Sequence, residues 1–250
     1  MSAAALPLGF ATAAFVVVTA GLAGALRGFT GFGFALAAVP ALTLVLAPRE
    51  VVPAVQILQV AAGFQLLPRI LREADWRSLR ALLVGALVGT PVGTALLADL
   101  PADAMRAAIG VVILVAVVAL GRGGAIRRPP HAAVGVAIGL VSGLLNGGTA
   151  MAGPPVILYF LATARTVEAG RASLMLYFLV LSIAGATAAF AAGLFTVSTP
   201  WLAAIMFPAL FAGNALGDRF FDRSPPARHR AIALAILAVV GVASLFRSVF

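Results

Sequence analysis

The chain has 250 residues, of which 62% are hydrophobic and only 10% are charged. A soluble domain carries a charged shell of about a quarter of its residues, so this composition excludes an ordinary water-soluble protein and indicates a surface that faces lipid. The net charge of +9 comes from arginine without any lysine. Because the arginines lie between apolar stretches, we interpret them as loop charges that orient the chain in a bilayer, and we expect no nucleic-acid partner.

The residue types present also limit the chemistry. There is no cysteine, which excludes disulfides, thiolate metal sites and cysteine nucleophiles. The two histidines lie beside Arg/Pro-rich loops, and no acidic residue lies inside an apolar segment. We therefore predict no metal, no cofactor and no catalytic residue, and we expect a protein that is not an enzyme. The first ten residues lack a basic region, so we interpret them as the lead-in to a first span.

Long apolar segments follow one another along the whole chain. They lie at about residues 6–26, 29–47, 51–67, 81–98, 105–121, 132–145, 149–162, 173–193, 201–216 and 230–248. This pattern predicts an all-α polytopic transmembrane helical bundle, and not a barrel of short alternating strands. The segments 132–145 and 149–162 are short for a bilayer that needs about 20 helical residues.

Loop charges predict the orientation of these segments. Arginines cluster in the loops 68–80, 122–131 and 217–230, which the positive-inside rule places in the cytoplasm. The loops 99–106 and 194–200 lack such an excess and are predicted to be external. The chain must then cross an odd number of times between residues 131 and 194. The two short segments therefore form either two crossings or a re-entrant hairpin, and charge does not separate these options.

A weak internal repeat divides the chain into two halves, residues 1–125 and 126–250. Gly89 and Gly93 correspond to Gly213 and Gly217 at an offset of 124, and the sequence that begins at Gly21 matches the sequence that begins at Gly139. The corresponding loops have opposite predicted sides. We therefore predict one membrane domain built from two inverted-topology repeats of about five segments each, an arrangement typical of secondary transporters.

The predicted site lies in two matched glycine-rich interruptions that meet near the bilayer midplane. Glycine and proline break a helix, and broken backbone at membrane depth is tolerated where it lines a cavity. The helix that restarts after each break presents free N–H groups to an anion. Candidate substrate-binding residues in these segments are Gly28, Thr30, Gly31 and Gly33 in the first, and Asn146, Gly147, Gly148, Thr149, Gly153 and Pro154 in the second. Close helix packing is the alternative role of such glycines, and we favour it for Gly89, Gly93, Gly213 and Gly217.

Four polar side chains outside the glycines complete the prediction. Arg27 interrupts an apolar stretch, and because no acid lies in any apolar segment, a small anionic substrate would complement it. The alternative is an arginine that snorkels at the end of the first span. Arg171 is either a second anion ligand or an orienting charge. Gln56 and Gln59, three residues apart on one apolar segment, either donate to oxyanions or bond between helices.

At these residues the chain resembles the sulfite exporter TauE/SafE family of bacterial membrane permeases. The resemblance covers nearly the whole chain and rests on RGFTGFGFALAAVP, which begins at Arg27, and NGGTAMAGPPVILYFL, which begins at Asn146. It implies export of sulfite, sulfoacetate, other organosulfonates or related anions. The second motif is closer to the sulfite or sulfonate branch than to the glycine-triplet form common in the family. Internal symmetry fails at Arg27 and Asn146, which makes the site asymmetric.

Two other functions stay open at this stage. One is a permease for a carboxylate or a neutral metabolite. The other is a membrane-embedded enzyme, but the sequence contains no recognisable set of catalytic residues for it. A P-loop needs lysine, so the chain does not hydrolyse ATP by that motif. The lipid bilayer and a small anion are the predicted partners. The oligomeric state, a homo-oligomer included, and any coupling ion stay open.

Overall fold

The computed structural model describes residues 9–30, 32–64, 67–122, 131–163 and 166–221. Within these ranges the chain forms the helices α1 (Phe10–Thr30), α2 (Phe34–Leu42), α3 (Pro48–Phe64), α4 (Leu67–Glu73), α5 (Trp76–Asp99), α6 (Ala102–Arg122), α7 (Ala132–Thr149), α8 (Gly153–Thr163), α9 (Val167–Ala191) and α10 (Ser198–Phe221). No strand occurs in the described ranges, so the all-α prediction is confirmed for them.

The predicted apolar segments give the order of the helices, but several helix ends lie elsewhere. The stretch 29–47 begins with the last two residues of α1, and the rest of its described part is helical only over Phe34–Leu42. The helices α5 and α9 begin earlier than predicted, at Trp76 and Val167, because Asp75 and Thr166 cap them. Such side chains bond the N–H groups that a helix start leaves unsatisfied. The predicted segment 230–248 and the arginines of the loop 122–131 beyond Arg122 lie outside the described residues.

Five described helices are long and apolar enough to cross a membrane. They are Phe10–Phe29, Trp76–Asp99, Ala132–Thr149, Ala169–Ala191 and Ser198–Arg219. Large apolar side chains are exposed on the outer faces of these helices, among them Val18 and Leu22 on α1 and Val84 and Val88 on α5. Exposed apolar surface of this kind suits hydrocarbon and not water. The protein is therefore a multi-pass membrane protein.

Two pairs of long helices run side by side at very close range. The helix α1 runs parallel to α10, and α5 runs parallel to α7, with backbone facing backbone at glycine positions. A side chain at these glycines would collide with a carbonyl oxygen of the partner helix: Gly24, Gly28, Gly85, Gly89, Gly93, Gly139, Gly143, Gly147, Gly213 and Gly217. Small residues permit this approach, which dispersion and lipid release then stabilise. In the structure, each of the four glycines predicted to serve helix packing lies against the backbone of a neighbouring helix: Gly89, Gly93, Gly213 and Gly217.

The remaining helices fill the space between these pairs. The helices α3 and α9 pack against each other, α3 also contacts α10, and α9 also contacts α5. The short helix α2 is almost wholly buried, and α8 buries Val156, Ile157, Tyr159 and Phe160. The first residues of α2 and α8 therefore lie inside the bundle, next to the candidate site.

Candidate functional site

The chain leaves helical geometry at two points inside the bundle. The first lies between α1, which ends at Thr30, and α2, which begins at Phe34. Gly33 there has a φ of 98°, a left-handed conformation that favours glycine. The second lies between α7, which ends at Thr149, and α8, which begins at Gly153, with Ala150 at a φ of 56°.

The two interruptions line one cavity of about 30 Å³, which we call the α2–α8 cavity. Its wall consists of residues 32–36, residues 150–153, Arg27 of α1, Gln59 of α3, and Met175, Phe178 and Leu179 of α9. The cavity is thus polar at Arg27 and Gln59 and apolar over most of the remaining wall. Its volume is enough for one or two water molecules.

Arg27 brings the positive charge to this cavity. Its Nη1 atom is buried and has no hydrogen-bond partner among the described residues. A buried guanidinium nitrogen without an acceptor is costly, because it has lost its water without a replacement. This nitrogen therefore lacks an acceptor within the described part of the chain, on a side chain that also lines the cavity.

The two glutamines of α3 differ in their surroundings. Gln59 lines the cavity, and its Nε2 donates to the carbonyl oxygen of Ala150 at 3.5 Å, the outer limit of a hydrogen bond. Gln56 is fully buried outside the cavity wall, and its Nε2 donates to the carbonyl oxygen of Asn146 at 3.2 Å. Asn146 itself donates from Nδ2 to the carbonyl oxygen of Leu181 at 2.7 Å. Gln56 and Asn146 therefore tie α3, α7 and α9 together beside the cavity.

The two helix starts at the cavity differ in the number of backbone N–H groups that they offer. In α2 the first residues Phe34, Ala35 and Leu36 follow the cap residue Gly33, and their N–H groups have no partner within the helix. In α8 the second and third residues are Pro154 and Pro155, which carry no N–H. The start of α2 therefore offers an anion more backbone N–H groups than the start of α8.

Among the other predicted site residues, Gly153 lines the cavity and most of the rest do not. Gly28 packs against α10 at Asn214, and Gly147 and Gly148 pack against α5. The hydroxyl of Thr149 donates to the carbonyl oxygen of Leu145 and accepts from the N–H of Met151. Gly31 lies outside the described residues, and Thr30 and Pro154 are described only as members of α1 and α8.

Arg171 is placed by an ion pair that the sequence analysis missed. Its Nη2 lies 3.4 Å from Oδ1 of Asp218 and donates to the carbonyl oxygen of Gly28, also at 3.4 Å. The backbone of Asp218 also lies close to α1, because a side chain at Gly28 would come within 2.9 Å of the backbone nitrogen of Asp218. Asp218 was assigned to a loop because the apolar segment stops at residue 216, whereas α10 continues through Phe221 and carries the carboxylate to α1.

Comparisons with known proteins identify the family of the chain. A family model described as Sulfite exporter TauE/SafE matches residues 16–244. A curated protein of Cupriavidus necator, described as "Probable sulfite/organosulfonate exporter TauE", is 28% identical over 230 residues, which cover 88% of each chain. No solved structure matches the chain. Since the family model spans most of its length, the chain belongs to the sulfite exporter TauE/SafE family.

Proposed function

We propose that the protein exports small sulfur-containing anions, such as sulfite or organosulfonates, across the bacterial inner membrane by alternating access. Arg27 carries this proposal: a guanidinium buried in a multi-pass membrane protein, with Nη1 unpartnered among the described residues, at a cavity between two helix starts. Intramembrane charges of this kind mark substrate pathways in transporters. The family and the curated relative support sulfur oxyanions as the substrate class.

The sulfonate or sulfite group would bind through three kinds of donor. The guanidinium of Arg27 presents a planar pair of N–H groups that matches two oxygen atoms of one anion. The first turn of α2 adds backbone N–H groups and the positive end of the helix dipole. Gln59 adds an amide whose present bond to Ala150 is long and easily exchanged. The predicted ligands Arg27, Gly33, Gln59 and Gly153 form this part of the proposal.

The halves 1–125 and 126–250 would act as inverted repeats. Support comes from the matched order of α1–α2–α3–α5 and α7–α8–α9–α10, and from the crossed pairing of α1 with α10 and of α5 with α7. A second correspondence involves arginines near the starts of α3 and α9. Arg49 donates to the carbonyl oxygens of Leu97 and Leu100 at the end of α5, and Arg171 pairs with Asp218 at the end of α10.

Lengths favour a re-entrant arrangement for the two short helices. At about 1.5 Å per residue, α2 and α8 are roughly 14 and 17 Å long, about half the hydrocarbon thickness. Each would return from the interruption to the side from which its long partner, α1 or α7, entered. A sulfite ion has four heavy atoms and exceeds the present cavity, so loading requires the helices around the cavity to separate. Alternating access supplies that movement.

A binding experiment tests the proposal. We expect purified wild-type protein to gain thermal stability with sulfite and with methanesulfonate, but not with chloride or acetate at equal ionic strength. Arg27→Ala should lose the gain and remain folded, and Arg27→Lys should recover a small part, because lysine supplies a point charge without the planar fork. Arg80→Ala, which removes an exposed arginine of α5, is the control and should respond like the wild type. Stabilisation of Arg27→Ala equal to that of the wild type would refute the assigned role.

A further inference from the structure

Two helix pairs in the bundle are joined by direct backbone contact. In the pair of α1 and α10, a methyl group at Gly213 would lie against the carbonyl oxygen of Gly21. In the pair of α5 and α7, the same kind of contact continues along α5 from Gly85 to Gly93. We call α1 with α10 the first unit and α5 with α7 the second unit.

Each unit contains one helix from each half of the chain. The helices α1 and α5 belong to residues 1–125, and α7 and α10 belong to residues 126–250. If the two halves moved against each other as rigid bodies, both backbone contacts would have to slide or break. Such contacts contain no side chains that could rearrange, and close packing tolerates little displacement. The contacts therefore favour movement of the units and oppose movement of the halves.

The α2–α8 cavity lies at the boundary between the two units. Arg27 belongs to α1 of the first unit, whereas residues 150–153 follow directly after α7 of the second unit. Gln59 of α3 and three side chains of α9 also contribute to the wall. Separation of the units would therefore enlarge the cavity without disturbing either backbone contact.

The helices α3 and α9 connect the two units and meet each other through side chains. The helix α3 packs against α10, α9 packs against α5, and α3 and α9 pack against each other. At Gly63 of α3 the close neighbour is the side chain of Leu179, whose Cδ1 would lie 2.7 Å from an added methyl group. At Gly185 of α9 it is the side-chain amide of Gln56. Side chains can change their conformation while helices slide by small distances, so this interface can shift.

We propose that the cavity opens by movement of the first unit against the second, along the interface between α3 and α9. The backbone contacts within each unit stay closed, with α3 moving with the first unit and α9 with the second. This inference rests on the proposed function and identifies the parts that move in it. The side-chain bonds of Arg171 to α1 and α10 then lie between the moving parts and are long enough, at 3.4 Å, to exchange.

Disulfides between introduced cysteines test which contacts stay closed during export, and the chain has no cysteine of its own. Gly21→Cys with Ala209→Cys joins α1 to α10, because the two Cβ atoms would lie 4.0 Å apart, within the range of a disulfide. Ala81→Cys with Gly135→Cys joins α5 to α7. Its Cβ distance of 3.0 Å requires only a small outward shift.

A third pair joins the helices that should move. Gly63→Cys with Leu179→Cys connects α3 to α9, again at a Cβ distance of 3.0 Å. All three pairs link a residue of the first half to a residue of the second half. The three disulfides are therefore matched, and they differ in whether they lie within a unit or between the units.

Efflux of labelled methanesulfonate from proteoliposomes is measured for each pair after oxidation and after reduction with dithiothreitol, and thiol titration confirms the disulfide. Each variant is compared with its own reduced form, so a loss caused by the substitutions themselves does not count. The α1–α10 and α5–α7 disulfides should leave efflux within about twofold of the reduced form. The α3–α9 disulfide should lower efflux by about tenfold or more, and reduction should restore it.

The outcomes separate this inference from the proposed function. Wild-type vesicles that release methanesulfonate no faster than protein-free vesicles contradict the proposed function itself. If wild-type efflux occurs, a reversible block by the α1–α10 or the α5–α7 disulfide overturns the inference, because that contact would then have to open. An α3–α9 disulfide without effect on efflux also overturns it. Since two disulfides lie within units, either one decides the test if the other variant is inactive in its reduced form.

Discussion

Arg27 lies where the first interruption meets the contact between α1 and α10. Its side chain lines the α2–α8 cavity, and the next residue, Gly28, packs against α10 at Asn214 and Asp218. Charged residues inside membrane segments are costly and mark substrate paths in transporters. The anion site that we propose therefore depends on the position that the α1–α10 contact gives to Arg27.

Gln56 and Gln59 allow a prediction that separates binding from stability. Gln59→Leu should reduce the affinity for methanesulfonate about tenfold, roughly 1.4 kcal/mol, because the side chain lines the cavity. Gln56→Leu should instead lower the stability, because the carbonyl oxygen of Asn146 loses a buried donor. Calorimetric titration and thermal unfolding of both variants provide the measurements. Equal effects of the two substitutions on affinity would contradict the distinction.

At the scale of helices, the close contact of α1 with α10 depends on particular glycines. A methyl group at Gly24 would lie against the carbonyl oxygen of Leu210, whereas one at Gly21 would make ordinary contact with Ala209 at 3.8 Å. Gly24→Ala should therefore cost about 1–3 kcal/mol of stability and shift α1 away from α10. Gly21→Ala, one turn earlier on the same helix, is the matched control.

For this pair of glycines, thermal unfolding in detergent measures the difference. Gly21→Ala should unfold at the wild-type temperature or slightly above it, since alanine favours helix by up to about 1 kcal/mol over glycine. Gly24→Ala should unfold several degrees lower. A similar loss in both variants would show that glycine acts through the helix itself and not through the contact.

Much of the helix order could be predicted from hydrophobicity, and the exceptions have local causes. The helices α5 and α9 start before their predicted apolar segments because Asp75 and Thr166 cap them. Polar residues at these helix starts interrupt the apolar sequence, so hydropathy places the start of each segment too late. Beyond the last two residues of α1, the described part of the apolar stretch 29–47 contains only the short helix α2, because turns follow Leu42 and α3 begins at Pro48. Hydropathy does not distinguish a buried helix of nine residues from a span.

The candidate site was predictable only in part. Arg27, Gly33 and Gln59 stand out as a charged residue, a helix breaker and a polar residue within apolar stretches of the sequence. Asp218 does not, because its place beside α1 depends on the register between α1 and α10. That register is set by the glycine contacts between helices about 190 positions apart along the chain, such as Gly28 with Asn214. Sequence spacing carries no record of such a contact.

For the whole molecule, the proposed inverted arrangement predicts the side of the membrane on which each loop lies. The chain contains no cysteine, so single cysteines can be introduced at will. Ala192→Cys, after α9, should react with a membrane-impermeant maleimide in intact cells. Leu71→Cys, in α4, should react only after the cells are made permeable. Labelling of both from the same side would contradict two halves of opposite orientation.

For the proposed export, the membrane potential supplies a driving force. The cytoplasm is negative, so moving one negative charge outward is favoured by about 2.3 kcal/mol for each 100 mV. An anionic substrate carries that charge itself, and the proposed path needs no second ion. Export should therefore be electrogenic and respond to an imposed potential.

Efflux of labelled methanesulfonate from proteoliposomes under an imposed potassium diffusion potential measures whether the protein exports an anion by way of Arg27. With the interior negative, wild-type protein should release the anion faster than protein-free vesicles and faster than at zero potential. Arg27→Ala vesicles should release it no faster than protein-free ones, while Arg80→Ala vesicles follow the wild type. Wild-type efflux that matches protein-free vesicles, or Arg27→Ala efflux that matches the wild type, would contradict an anion exporter centred on Arg27.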